Sequence, residues 1–430
     1  MFNILKKRKK DKTVVVVGLD GVPYTLLVDY MERGIMPELS QLCKTGKLYR
    51  MKSTLPEVSS VAWSSFMTGK NPGEHGIFGF MEIDKQNYEY LFPNYSSLKT
   101  PPIWVRDDMK AVAFNIPQTY PAEQINGVMV SGFVAIDLKK ATYPERVFNY
   151  LNGMGYRLDV NTKLAMENPE AFFKDLFDTF EKRKRAIEYL YDNEDWQLFI
   201  GTITETDRLH HFFYDSALEG KYFDIFEKYY RELDSFIGVM AKKAVKDGAV
   251  FLTCSDHGFT PIKTEVYLNK WLIENDYLKL DNIEGLKGMT SDTKAFCLDP
   301  SRIYIHLKGK YKRGTVNLSD YKGLVEELKE KFSEISFEGQ KIIKNVYLKE
   351  EIFHGTYADD GPDLYLLPAY GFDLKGSTNK AHVFGKTHFR GMHTYDDAHL
   401  FISVPVDSED IKIENVAGII THYVNPKTAF

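Results

Sequence analysis

Five segments of this 430-residue chain carry side chains suited to binding divalent metal ions or attacking phosphorus. They are GLDG at 18–21, PEVSSVAWSSFMTG at 56–69, TETDRLHHFF at 204–213, TCSDHGF at 253–259 and GMHTYDD at 391–397. Together they offer Asp20, Asp207 and Asp256, the imidazoles of His211, His257 and His393, and one of several hydroxyls. Such a set is enough to hold two metal ions about 4 Å apart, and two such ions beside a serine are an apparatus for displacement at phosphorus.

Each segment has two readings on its own. Asp20 ends an apolar run and Gly21 lets the backbone turn beside it, so the acid is either a metal ligand or an N-cap for a helix starting near Pro23. The stretch 53–69 holds Ser53, Thr54, Ser59, Ser60, Ser64, Ser65 and Thr68. One of these could be a nucleophile at a helix start, where the dipole favours an anionic phosphoryl group. The others cap and solvate, and spacing alone does not choose among them. Asp207 and His211 stand at i and i+4 and share a helical face, either as a metal pair or as an ion pair, with Arg208 and His210 pointing elsewhere. Asp256, His257 and Gly258 directly follow a strand-like run and could give two ligands to one ion. His393 sits in a loop-like stretch, FRGMHTYDD.

The elements that must position these residues follow from hydrophobic periodicity. TVVVVGLD (13–20), AVAFNI (111–116), GVMVSGFV (127–134), WQLFIGTIT (196–204) and AVFLTCSD (249–256) are short continuous apolar runs, as in strands buried on both faces of a parallel sheet. Helical patterns lie between them, near Pro23 to Arg33, across Met36–Gly46, over 168–195 and over Tyr222–Lys246 with a stop at Gly248. The alternation predicts an α/β fold, a mostly parallel central sheet with helices on both faces. Ligands bind beyond the carboxyl ends of such strands, and Asp20, Thr204 to Asp207 and Asp256 all fall there. Residues 262–345 are Lys-rich with short-period segments and read as an insert or cap. PDLYLLPAY (362–370) and AHLFISV (398–404) then return as strands. The expected organisation is a basic leader at 1–12 and a catalytic domain at 13–430.

Composition narrows the partners. The net charge of -5 gives no global basic field for duplex nucleic acid. Cys43, Cys254 and Cys297 are odd in number and far apart, which suits a reducing compartment. No apolar run reaches the length of a membrane span, and VVVVGL is too short for a signal peptide core. A cytoplasmic location is therefore expected, with the Lys6–Lys10 cluster a solvated leader or a contact for anionic lipid. Sequence leaves the oligomeric state open.

Taken together, the segments resemble the alkaline phosphatase superfamily, and within it the type I phosphodiesterase/nucleotide pyrophosphatase group. The resemblance runs from about 13 to 405 and rests on GLDG, SSVAWSSFMTGKNPGEHGIFGF (59–80), TDRLHHFF, SDHGF and GMH. It implies that Ser59 is the nucleophile. It implies one metal on Asp207, His211 and His393, and another on Asp20, Asp256, His257 and the Ser59 oxygen. The O/N ligand set suits zinc, with manganese as the alternative. His75 matches a family histidine taken as structural. Two departures stand out. Many relatives use Thr as nucleophile, with Asn three residues later; here those positions are Ser59 and Ala62.

The implied reaction is in-line attack by Ser59, a phosphoseryl intermediate and net retention at phosphorus. Trp63, Lys70 and Arg208 are candidate substrate contacts, the cations for a monoester dianion and Trp63, Phe78 and Phe80 as an apolar shelf for a diester. The expected substrate is a small phosphate ester, a diester ahead of a monoester. The sulfatase pattern is missing, and the spacing from Ser59 to Asp207 is short for the phosphoglycerate mutase branch. A catalytically inactive metal-binding protein is the reading from another class.

Overall fold

The computed structural model describes residues 12–281, 285–386, 388–408 and 410–424; the leader expected at 1–12 lies outside them except for Lys12. Its centre is a nine-stranded sheet. In chain order the strands are β1 (Val14–Leu19), β2 (Lys47–Lys52), β3 (Ala111–Ile116), β4 (Gly127–Ser131), β5 (Thr142–Tyr143), β6 (Leu198–Ile203), β7 (Val250–Cys254), β8 (Ala398–Ile402) and β9 (Ile411–Lys412). Their spatial order is β9-β2-β8-β7-β1-β6-β3-β4-β5. The run β7-β1-β6-β3-β4 is parallel throughout. β8 is antiparallel to β7 and β2, and β5 is antiparallel to β4. This is the α/β architecture that the alternation of apolar runs and helices implied.

Alternation along β1 shows why the run is continuous. Val15, Val17 and Leu19 enter one core, while Val14 and Val16 enter the other. The first core packs against helices Tyr24–Glu32, Pro169–Asn193 and Phe223–Asp247, and the second against Ser59–Thr68 and Ile413–Val424. Each fully buried valine contributes roughly 1.5–3 kcal/mol relative to an exposed one, so polar residues on β1 would be costly on either face.

Three local expectations change. The helix expected across Met36–Gly46 is only Pro37–Leu42, and the chain turns at Cys43–Gly46 into β2. β2 itself was not legible in KLYRMK, whose Lys47 and Arg50 are exposed. Leu364–Pro368 is a strand, but it does not join the central sheet. It lies between Arg302–Ile305 and Ile343–Leu348 in a four-stranded sheet completed by Ala295–Leu298. This sheet, the helix Leu318–Glu334 and a third core form a second lobe. Its strands run past residue 345, to Phe384–Gly385.

Candidate active site

Three of the acids and two of the histidines reach the site from the ends of parallel strands. Asp20 follows β1; its N–H donates to the Ile203 carbonyl at 2.9 Å, and its own carbonyl accepts the Thr206 hydroxyl at 2.6 Å. The Tyr24–Glu32 helix is entered through Pro23 with no side-chain cap, so Asp20 is not its N-cap. Gly21 has φ +66°, and its N–H donates to Asp256 Oδ1 at 3.0 Å. A Cβ there would lie 2.5 Å from the Phe259 ring, so the GLDG turn needs glycine for its backbone angle and for space. Asp207 and His211 occupy the first and last turns of the Glu205–Phe213 helix, which begins where β6 ends. Asp256 and His257 follow β7. His393 is not in a loop: Gly391–Thr394 is a strand antiparallel to Gly258–Pro261, with His393 opposite Phe259. That pairing carries a residue from the chain's far end back beside His257.

The structure selects among the hydroxyls. Ser53 Oγ donates to the Asp256 carbonyl, Thr54 to Pro56, Ser64 to Ser60 and Thr68 to Ser64, while Ser65 pairs with His75. Ser60 Oγ is buried without a partner. Ser59, the first residue of the Ser59–Thr68 helix, places Oγ 3.1 Å from His257 Nε2 and 3.4 Å from Asp20 Oδ1.

All seven expected ligands converge. His211 Nε2 and His393 Nε2 are 3.0 Å apart and lie 3.3 and 3.4 Å from Asp207 Oδ1. His257 Nε2 lies 3.2 Å from Asp256 Oδ2 and 3.8 Å from Asp20 Oδ1. The His257 and His393 rings stack with centroids 3.5 Å apart. Every one of these imidazoles has Nδ1 on a backbone carbonyl: His211 on Gly391, His257 on Gly258 and His393 on Glu57. The Nδ1–H must donate there, so each ring in its neutral form turns an Nε2 lone pair towards the acids.

The charges are crowded and dry. Burial, then the Asp256 and Asp207 charges, push the Asp20 carboxyl well above its ordinary value. Burial also lifts Asp256, to about 6. Asp207 goes the other way: burial raises it, but His211, His393 and Arg208 outweigh that and hold it well below the carboxylate range. Burial drives His211 and His257 down, whereas contacts with Asp207 outweigh burial and raise His393. Asp207 Oδ1 and Asp256 Oδ2 are buried and accept no hydrogen bond. Orphaned carboxylate oxygens are expensive unless a cation meets them. Two groups have ligand atoms within 4.8 Å of one another, Asp207–His211–His393 and Asp20–Asp207–His257. The donor set therefore fits divalent metal.

The candidate substrate contacts separate. Trp63 is fully buried and packs on the sheet under Gly18, edge-on to Phe66. Lys70 lies beyond the opposite end of the Ser59–Thr68 helix and pairs with Glu74 at 3.3 Å on the surface. Neither faces the site. Arg208 does: although its helical position points away, its long side chain folds back to Asp207 Oδ2 at 2.9 Å and to Asp159 at 2.8 Å. His75 is structural in geometry, accepting the Ile77 N–H at Nδ1 and so donating from Nε2 to Ser65. Ala62 is core.

A cavity of about 220 Å³ opens beside His211 and His393. Phe80 and Met81 wall it, with Asp299, Ser301, Asp373 and Lys375 from the second lobe. Of the three residues expected to form an apolar shelf, only Phe80 lines it; Phe78 is buried against Phe353. Sequence reasoning missed Glu57, buried with its carboxyl raised to about 7 by desolvation and bonded to the Tyr365 hydroxyl. Its position two residues before Ser59 was the one available signal.

Residues 14–396 match the type I phosphodiesterase/nucleotide pyrophosphatase family, and the chain belongs to it. It is accordingly a hydrolase acting on phosphate esters. No curated protein sequence matches it significantly. Among solved structures, phosphonoacetate hydrolase from Sinorhizobium meliloti 1021 in complex with phosphonoformate superposes with a TM-score of 0.66 at 15% identity, covering 97% of each chain. Murine ectonucleotide pyrophosphatase/phosphodiesterase 5 superposes with a TM-score of 0.58 at 13% identity, covering 96% of this chain and 95% of that one. At these identities the likeness concerns the fold. Among the described residues no helix is long and apolar enough to cross a membrane. Cys43, Cys254 and Cys297 are free thiols.

Proposed function

We propose that the chain is a two-metal phosphodiesterase that works through a phosphoseryl intermediate on Ser59. In this reading Asp207, His211 and His393 hold one ion, and Asp20, Asp256, His257 and the Ser59 oxygen hold the other. Zinc suits the ligands, with manganese as the alternative. The observation that carries the reading is Ser59 Oγ standing 3.1 Å from His257 Nε2 and 3.4 Å from Asp20, alone of its neighbouring hydroxyls in facing the acid–imidazole cluster. Divalent ions bound there would activate the serine oxygen and neutralise charge on the phosphoryl group.

The chain's own residues supply the rest. Ser59 is fixed at the helix start; the Val61 and Ala62 N–H groups donate to the Val58 carbonyl, which leaves those of Ser59 and Ser60 to face an anionic oxygen. With Asn replaced by Ala62, these N–H groups are the phosphoryl-oxygen donors. The Ser59–O–P bond forms as the bond to the leaving alkoxide breaks, the alkoxide gaining the proton that Ser59 loses; water then cleaves Ser59–O–P from the vacated side and returns a proton to Ser59. Two inversions give net retention.

Diester preference follows from where the cations are. Lys70 is remote and Arg208 is paired with two carboxylates, so neither is free for the second charge of a monoester. In the cavity beside the histidines Lys375 is likewise paired, with Asp373 at 2.9 Å, and Phe80 and Met81 offer one apolar wall for a second substituent. A small phosphodiester is the substrate class. Three free thiols support a cytoplasmic setting.

The test is hydrolysis of p-nitrophenyl phosphate, bis-p-nitrophenyl phosphate and p-nitrophenyl thymidine monophosphate with zinc or manganese, before and after chelation. Faster diester cleavage, abolished by chelator and lowered at least roughly 10³-fold in Ser59→Ala, is expected. Cleavage of the monoester alone sinks the diesterase assignment, and equal activity of Ser59→Ala and parent sinks the covalent route.

A further inference from the structure

Arg208 is the cation nearest the expected ligands, and its surroundings define what it does. Its Nε and Nη2 both reach Asp159, at 3.1 and 2.8 Å from Oδ2, and Nη1 reaches Asp207 Oδ2 at 2.9 Å. One face of the guanidinium lies 4.0 Å from the centroid of Phe133, whose ring in turn meets Phe80. The Arg208 side chain is 11% exposed. Asp159 is itself pinned in the loop between helices Glu145–Gly153 and Lys163–Glu167, where its Oδ1 also accepts the Val160 N–H at 2.8 Å.

We infer that Asp159 and Arg208 form a strut that sets the orientation of Asp207, and that Arg208 is a positioning residue, not a substrate contact. This rests on the two-metal reading above. A carboxylate on a short side chain can rotate about its last bond, exchanging its two oxygens. Arg208 holds Oδ2, so Oδ1 is left 3.3 and 3.4 Å from the Nε2 atoms of His211 and His393, buried and without a donor. A planar guanidinium that grips one carboxylate through two N–H groups cannot swing without losing both. Its single charge is already matched by two carboxylates, which weakens its pull on a substrate anion. The clamp therefore serves the ligand shell, as outer-shell partners of metal ligands do.

Asp159→Asn separates the roles. Zinc affinity is measured against a competing chelator, together with thermal melting of the metal-free protein and kcat and KM for bis-p-nitrophenyl phosphate. The expected result is a melting temperature close to the parent's, zinc affinity about 10–100-fold weaker, KM unchanged and kcat recovered at saturating zinc. Asp159→Glu should regain part of the affinity. Arg208→Lys, which cannot bridge both carboxylates, should weaken zinc binding likewise and keeps the test open if Asp159→Asn does not fold. Parent-like zinc affinity in both variants, or a changed KM with zinc binding intact, overturns the strut and makes Arg208 a substrate contact. A parent chain that binds neither zinc nor manganese overturns the two-metal reading and the strut with it.

Discussion

Residues with similar chemistry sit in environments that give them opposite roles. Ser59 and Ser60 are adjacent on one helix, yet only Ser59 Oγ faces Asp20 and His257. The same holds for the residues that sequence offered as substrate contacts. Trp63 is one turn past Ser59 and wholly inside the core, so Trp63→Ala should cost about 3–5 kcal/mol of stability through the cavity it leaves. Lys70 is a half-exposed surface ion pair with Glu74, and such pairs contribute about 0–1 kcal/mol. Urea denaturation of Lys70→Ala should give a stability within about 0.5 kcal/mol of the parent, with kcat/KM unchanged. A tenfold loss of kcat/KM in Lys70→Ala would show that the lysine reaches substrate after all.

Elements position the site through turns that tolerate little. At the end of β1 the backbone must take φ +66° at Gly21 and pass within reach of Phe259, whose ring lies 5.0–5.6 Å from those of His211, His257 and His393. Gly21→Ala adds a Cβ against Phe259 and strains the angle, for an expected cost of about 1–3 kcal/mol. Because Phe259 packs against the imidazoles, displacing it should lower zinc affinity too, which chelator competition would read; unchanged stability and affinity would mean the turn relaxes freely. The central strands were legible because burial on both faces writes an unbroken apolar run, as in VVVVGL. KLYRMK was not, since β2 exposes Lys47 and Arg50 and its pairing with β8 is set by distant residues. LYLLP has the pattern of a central strand, but a pattern names a strand and not its partners; here the partners are in the second lobe. Asp20, Asp207, His211, Asp256 and His257 could be placed because they end strands or share a helical face. His393 depended on a pairing about 130 residues long-range, and the Asp299, Asp373 and Lys375 lining of the cavity on packing of the second lobe, neither of which local periodicity encodes.

At the scale of the whole molecule, the fold keeps several histidines neutral away from the site, and this sets its response to acid. His75 accepts the Ile77 N–H and bonds Ser65 in the core; burial lowers its pKa to about 3. His399, between Val22 and Thr253, is lowered to about 4, again by burial. In the unfolded chain each titrates near 6.5. Above that pH both states carry the neutral ring and the two residues make no difference to stability. As pH falls below 6.5 the unfolded chain takes up protons that the folded chain refuses, so stability drops until the folded pKa is reached. Between pH 6.5 and 4.5 each histidine should remove about 2 kcal/mol. His75→Gln keeps a neutral group able to hydrogen bond and cannot titrate. Urea denaturation of both proteins at pH 6.5 and 4.5, with chelator present so that titration of the ligand cluster is common to both, isolates the term. The parent should lose about 2 kcal/mol more than His75→Gln over that interval. Equal losses would mean that His75 is protonated in the folded chain, and that the hydroxyl of Ser65 and the N–H of Ile77 do not fix a neutral ring there.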